Sequence, residues 1–203
     1  MEDRFDNETL ETIFQRHSVR QFQDTEVGED LIQVILEAAN SAPSAHNQQA
    51  WRFVVVRGAA KEALAKLVTT RSQEFPKPSS SILRMAARTI ASAPVVVAVM
   101  NTGGLIEHGT RIFRINETHS RDFFRTMEIQ SSAAAVQNLL LAATSLGLGT
   151  VWLGILYLIK EDVLPLLGEK QGEFMAVVPL GYPKKEHSGP SKKGLEELVK
   201  YLD

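Results

Sequence analysis

The chain has 203 residues, 44% of them hydrophobic and 23% charged, with a net charge of -2 and no cysteine. That length predicts one compact domain over residues 1–203, burying roughly 70% of the surface an unfolded chain exposes. The composition excludes a disulfide framework, thiolate catalysis and iron–sulfur ligation, and the charge gives no electrostatic footprint for nucleic acid or an anionic membrane.

Any redox chemistry must therefore ride on a bound cofactor. The N-terminal Met-Glu-Asp-Arg-Phe-Asp is acidic without an apolar core, and no run of about 18 apolar residues follows, so a cytoplasmic protein is expected.

In chain order, Asp6 or Asn7 caps a first helix whose Leu10, Ile13 and Phe14 share a face. Leu31, Val34, Ile35 and Ala38 align on a second, from Asp30 to Ala39, and Pro43 ends it. Phe53 to Val56, Val95 to Val99 and Phe174 to Val178 are β-branched runs of the kind covered on both faces, with Thr150 to Leu153 a shorter candidate. Glu62 to Val68, Ile82 to Ile90 and Leu195 to Leu202 are predicted covering elements. The fold class is α+β: a central mixed or antiparallel sheet flanked by helices.

Ser131 to Leu146 is apolar nearly all round, so it must be buried all round. Its partner is either the rest of one chain or its own copy in a symmetric dimer. Asn101 to Arg125, which includes His108, Arg111, Phe113, Arg114, Phe123 and Phe124, is the least regular stretch. It reads as a lid or short-helix excursion, or as a solvated helix pair.

Two segments carry chemistry. In Arg16-His17-Ser18-Val19-Arg20, residues two apart in an extended chain point the same way, so two guanidinium forks and a hydroxyl can face one phosphate-bearing ligand. In Ala42-Pro43-Ser44-Ala45-His46-Asn47, a hydroxyl, a primary amide and free backbone donors suit the edge of a flat heterocycle. Each segment alone also reads as a solvated turn; together they suggest a flavin mononucleotide site.

Gly147-Leu148-Gly149 follows a helix rather than a strand, and so reads as a helix terminus and not a dinucleotide fingerprint. The five histidines show no metal-binding spacing, so no metal is expected.

With Gln137-Asn138-Leu139-Leu140-Leu141-Ala142-Ala143 leading to Gly147-Leu148-Gly149-Thr150-Val151-Trp152-Leu153-Gly154, and Pro179-Leu180-Gly181-Tyr182-Pro183 followed by Lys192-Lys193, these segments make the chain resemble the nitroreductase family from about Glu11 onward. The resemblance implies an α/β/α sandwich, a homodimer, and FMN at each of two interface sites. It implies Arg16 and Ser18 on the flavin phosphate with Lys192 or Lys193, Arg20 at the pyrimidine end, and His17 held through its backbone.

By the same resemblance, Pro43, Ser44 and Asn47 reach the flavin from the neighbouring subunit, and the Gly154 amide, after Leu153, approaches the ring nitrogen that takes up hydride. No side chain is implied as catalytic acid or base: NAD(P)H donates, FMN carries, and a small nitroaromatic- or quinone-type acceptor receives by a ping-pong cycle. His46 stays open between a solvated loop residue and a wall of the substrate pocket.

Three departures matter. Gln49-Ala50-Trp51 lacks the proline common before the tryptophan, and Gln130-Ser131 stands where relatives carry an acidic residue. Ser-Ala-Pro-Ser-Ala-His-Asn, together with the Ser131 and Pro94 segments, resembles a subgroup related to deazaflavin metabolism. A deazaflavin as donor or substrate, or a non-catalytic flavin carrier or sensor, are therefore the competing expectations.

Overall fold

The computed structural model describes residues 7–113, 117–169, 172–185 and 188–202. Asp6 and Arg114 lie outside them. Helix α1 (Glu8–Gln15) is capped by Asn7, whose side-chain oxygen accepts from the Leu10 N–H at 3.1 Å. Helix α2 (Glu29–Asn40) leads through the Pro43 loop into β1 (Trp51–Val56), and α3 (Gly58–Arg71) and α4 (Ser79–Ser92) then precede β2 (Val95–Asn101). After α5 (Gly104–Ile112) and α6 (Glu117–Ser145) come β3 (Gly149–Thr150), a 3-10 turn at Gly154–Ile159, α7 (Lys160–Leu166) and β4 (Glu173–Gly181).

The strands form an antiparallel sheet in the order β1-β2-β4-β3. Strand β2 is buried along its whole length and feeds both layers by the period-two alternation of a strand. Val96, Ala98 and Met100 enter the core beneath α3, α4 and the Gly154 turn, whereas Val95, Val97 and Val99 enter the core beneath α2 and α6. A bulge at Val99/Met100 skips Met175, so that Met100 faces Phe174 and Val99 faces Ala176 with each pair in one layer. The result is a helix–sheet–helix sandwich.

Gly147 ends α6 in a left-handed conformation (φ 74°), with the Leu148 N–H returning to the Ala143 carbonyl at 2.8 Å. At Gly149, a Cβ would sit 2.7 Å from the Val19 side chain, because the Arg16–Arg20 segment packs directly on β3. Gly149→Ala is expected to lower stability by about 1–3 kcal/mol through overpacking, measured by thermal or urea unfolding; an unchanged midpoint would contradict that packing.

Several expectations are corrected. The Thr150–Leu153 strand shrinks to β3 plus one bridge from Leu153 to Val177. Strand β1 is not covered on both faces, since Val55 is exposed. The described residues of Asn101–Arg125 are mostly helical, divided between α5 and the start of α6, which agrees with the short-helix and helix-pair readings rather than correcting them. Helix α6 buries Ala135, Val136, Leu139, Leu140 and Ala143, but leaves Gln130 and Gln137 exposed and Ala134 and Leu141 half-buried, so its own chain covers only part of it. Leu195–Leu202 does not cover the sandwich: beyond a 3-10 turn at Leu195–Glu197 it has no regular secondary structure and is exposed. Among the described residues, no helix is long and apolar enough to cross a membrane.

Candidate flavin site

The Arg16–Arg20 segment runs beside β3, its Val19 N–H donating to the Thr150 carbonyl at 2.8 Å and Ser18 forming a parallel bridge with Thr150. Val19 is buried, while Arg16 and Ser18 are half-buried and Arg20 is exposed, so alternation turns the two cations and the hydroxyl away from the core. Among the described residues, neither Arg16 nor Arg20 makes an ion pair. Arg52, Arg57, Arg71 and Arg125, by contrast, each hold a carboxylate.

His17 places Nδ1 2.9 Å from the Gln15 carbonyl oxygen, and a Cβ on Gly189 would lie 2.9 Å from the His17 Cβ. The C-terminal segment thus returns over the Arg16 loop. Three residues span at most about 10 Å, so Lys192 is tethered within reach of Arg16 and Ser18. Lys193 already pairs with Glu197 at 3.8 Å.

Leu153 is pinned to the sheet by its N–H to the Val177 carbonyl at 2.9 Å, and Gly154 then opens the 3-10 turn, where a first amide has no partner inside the turn. A Cβ on Gly154 would meet only the Trp152 ring, at 3.6 Å, so nothing in the chain itself requires glycine there. The open side of that residue fits the close approach of a flat ring.

The Pro43–Gln49 loop is held in an unusual shape. His46, Asn47 and Gln49 all have positive φ (54°, 52° and 48°), costing on the order of 1 kcal/mol each for non-glycine residues. Internal bonds sustain it: the Gln49 N–H donates to Ser44 Oγ at 3.0 Å, and Gln49 Nε2 donates to Asn47 Oδ1 at 3.1 Å. Ser44 retains its hydroxyl proton and Asn47 its NH2 group for an outside acceptor. The His46 ring meets His108 at 6.0 Å and Phe113 at 5.7 Å between centroids, and Phe113 stacks on Phe124 at 5.2 Å. His46 is thus exposed on one side and in ring contact with His108 and Phe113 on the other.

A polar hub on α6, not anticipated from the sequence, ties these parts together. Glu128 is 1% exposed and accepts the Leu105 N–H at 2.8 Å at the start of α5. Ser131 Oγ accepts the Ala45 N–H at 3.2 Å, and the Ser132 hydroxyl bonds to Asn101 at the end of β2. Burial pushes the Glu128 carboxyl above its usual range, against the lowering effect of the N–H groups of Leu105, Ile106 and Gly103. Polar residues at i, i+3 and i+4, just ahead of the apolar stretch of α6, were the available signal.

Within one chain the two flavin-like segments stand far apart. Pro43–Gln49 enters β1 at one edge of the sheet, and Arg16–Arg20 lies outside β3 at the other. Four strand spacings amount to roughly 19 Å across. They also sit at opposite ends, since Trp51 is level with Asn101 and Glu173 whereas Thr150 is level with Leu180. Six ladder steps, Asn101 to Val95 on β2, add roughly 20 Å along the sheet.

The chain is 33% identical over 186 residues to a protein of Archaeoglobus fulgidus provisionally named NADH dehydrogenase/NAD(P)H nitroreductase, covering 88% of this chain and 87% of that one. It is 27% identical to the 5,6-dimethylbenzimidazole synthase of Rhodospirillum rubrum, covering 92% of this chain and 87% of that one. Among solved structures, a nitroreductase-type protein of Desulfovibrio desulfuricans in complex with FMN superposes with a TM-score of 0.74 at 28% identity, covering 98% and 99% of the two chains. A sequence model of the Nitroreductase family matches residues 13–182, and the chain belongs to that family.

Proposed function

We propose that this chain is one half of a homodimeric FMN-dependent oxidoreductase that moves hydride from NAD(P)H to a small organic acceptor of nitroaromatic or quinone type. The observation that carries the reading is the placement of two flavin-suited donor sets at opposite corners of one sheet. A three-ring flavin is shorter than that diagonal, so a site using both sets draws one from each of two chains. Exposed large apolar side chains are in keeping with the pairing: Phe14 is 79% exposed, Leu195 72%, Tyr201 85% and Leu202 82%, surface a second subunit would cover. The complex of the D. desulfuricans relative with FMN supports the choice of cofactor.

In this reading Arg16, Ser18 and Lys192 bind the flavin phosphate. Lys192 is preferred to Lys193 because the latter already has a carboxylate. Arg20 lies at the pyrimidine end, where a fixed cation favours the negative charge the ring carries when reduced. The Gly154 amide faces the ring centre, and Ser44 and Asn47 of the second subunit reach the ring edge. Bound FMN supplies two-electron hydride uptake from the nicotinamide and release to the acceptor; the chain binds, orients and tunes it.

Mixed dimers test the shared site. Arg16→Ala and Asn47→Ala homodimers are each expected to lose FMN affinity, whereas their one-to-one mixture regains one intact site per heterodimer. FMN titration that finds no regained tight sites would place both residues in one chain's site and contradict the reading.

A second reading, with a deazaflavin in place of the nicotinamide, draws on Gln130-Ser131 standing where relatives are acidic. Reduction of the flavin by a reduced deazaflavin but not by NADPH or NADH is its signature.

A further inference from the structure

We propose that the cleft between the Arg20–Phe22 segment and α4 binds the ribose 2′-phosphate of NADPH, selecting that donor over NADH. The proposal rests on the reading that a nicotinamide dinucleotide is the donor. The cleft encloses about 510 Å³ and is lined by Arg20, Gln21, Arg88 and Lys184, with Phe22 and Thr89 at its floor. Cavities of a few hundred Å³ suit nucleotide-sized groups.

The fold brings these cations together from three distant parts of the chain. Phe22 is buried and bridges to Pro183, and the Lys184 N–H donates to the Gln21 carbonyl at 3.0 Å, which lays Lys184 alongside Arg20–Phe22. Arg88 stands on the last turns of α4 beside Thr89, which is buried.

Charge separates this cleft from its neighbours. The cavity at α2 includes Glu29 and Glu37, the one at Arg111 and Arg121 includes Glu107, and the one between α6 and α7 includes Glu128, Glu161, Glu169 and Glu173. Among the described residues, the Arg88 cleft is lined by three cations and no carboxylate, in a chain whose net charge is -2. Among the described residues none of the three makes an ion pair. Three like charges around one cavity repel one another, and a bound dianion relieves that repulsion. Guanidinium forks and an ammonium are the donor set that phosphate monoesters take.

The cleft is distinct from the place assigned to the FMN phosphate. Arg16 does not line it, and four residues of extended chain put Arg16 roughly 13 Å from Arg20. Arg20 lines the cleft and is also the residue assigned to the ring end, so in this reading a donor stacked on the ring spans from it to a 2′-phosphate held at Arg88 and Lys184. Selection for NADH commonly uses an acidic side chain on the ribose 2′-hydroxyl, whereas an arginine accommodates the 2′-phosphate. The three cations, with no carboxylate among the described lining residues, favour the phosphorylated donor.

The test uses the full chain as purified with FMN and titrates three probes calorimetrically: 2′,5′-ADP, 5′-AMP and inorganic phosphate. Wild type is expected to bind 2′,5′-ADP at least about tenfold more tightly than either of the others. Arg88→Ala/Lys184→Ala should abolish that preference, raise KM for NADPH about fivefold to tenfold, and leave KM for NADH and the FMN content unchanged. Equal affinity for all three probes, a preference that survives the double substitution, or KM values that move together for both nucleotides would overturn the proposal. The titration also separates the two levels of inference. A protein without FMN that still discriminates 2′,5′-ADP contradicts the flavin reading alone, and a flavin-loaded protein that does not discriminate contradicts the cleft alone.

Discussion

Arg16→Ala is expected to weaken FMN binding by about 1.5–3 kcal/mol, a rise in Kd of roughly 10- to 150-fold, through loss of charge-assisted bonds to the phosphate. The magnitude is large because Arg16 is half-buried beside β3 and has no ion pair among the described residues, so its guanidinium is available to a ligand in full. Lys192→Ala should follow in the same direction with a smaller loss, and Lys193→Ala should change little, since Lys193 is exposed and paired with Glu197. Fluorescence titration of FMN distinguishes the three. Affinity unaltered by Arg16→Ala removes the phosphate assignment.

Glu128→Ala is expected to be the most destabilising of the site substitutions, by about 2–4 kcal/mol. It strips the buried N–H groups at the start of α5 of their acceptor and opens a cavity among α5, α6 and β2. Glu128→Gln keeps an acceptor oxygen toward Leu105 and should recover most of that loss.

The two variants also separate charge from packing. Burial raises the Glu128 pKa, so in the folded state the carboxyl retains its proton to higher pH than in the unfolded chain. Stability from this group is full below the ordinary glutamate range and declines as pH rises toward the raised value, above which it levels off. Wild type should therefore lose stability across that window, and Glu128→Gln should not. Denaturant midpoints at several pH values decide it: equal slopes for wild type and Glu128→Gln would show that the buried carboxyl does not titrate there.

The consequence of Glu128 for function is positional. It fixes the start of α5, which carries His108 and leads into Phe113, and these rings pack on His46 in the loop that also holds Ser44 and Asn47. The Ser131–Ala45 bond anchors the same loop to the next turn of α6. One face of α6 thus sets both the loop that holds Ser44 and Asn47 and the helix beside it.

Much of this was legible because the relevant forces are local. The β-branched runs at Val95 and Phe174 identified strands buried on both faces, Asn7 and Pro43 marked helix ends, and Gly147 marked the end of α6. The Arg16–Arg20 and Pro43–Asn47 segments declared their donors through residue type alone.

What stayed hidden depends on partners remote in sequence. Glu128, Ser131 and Ser132 look like ordinary polar interruptions until Leu105, Ala45 and Asn101 are brought against them. Helix α5 reads as irregular because Gly103, Gly104 and Gly109 depress helix propensity, and its stability comes from packing on α6 and the Glu128 cap. The Leu195–Leu202 pattern was apolar enough for a covering helix, yet beyond one 3-10 turn the segment is irregular and exposed. The separation of the two flavin segments to opposite sheet edges could come only from the strand order.

The visible absorption spectrum of the purified protein, recorded before and after anaerobic addition of NADPH and then NADH, tests the central claim most directly. The account predicts flavin bands that bleach on adding the nicotinamide and return on adding a quinone or nitroaromatic acceptor. A protein with no flavin bands after incubation with FMN, or with bands that neither nucleotide bleaches, would contradict it.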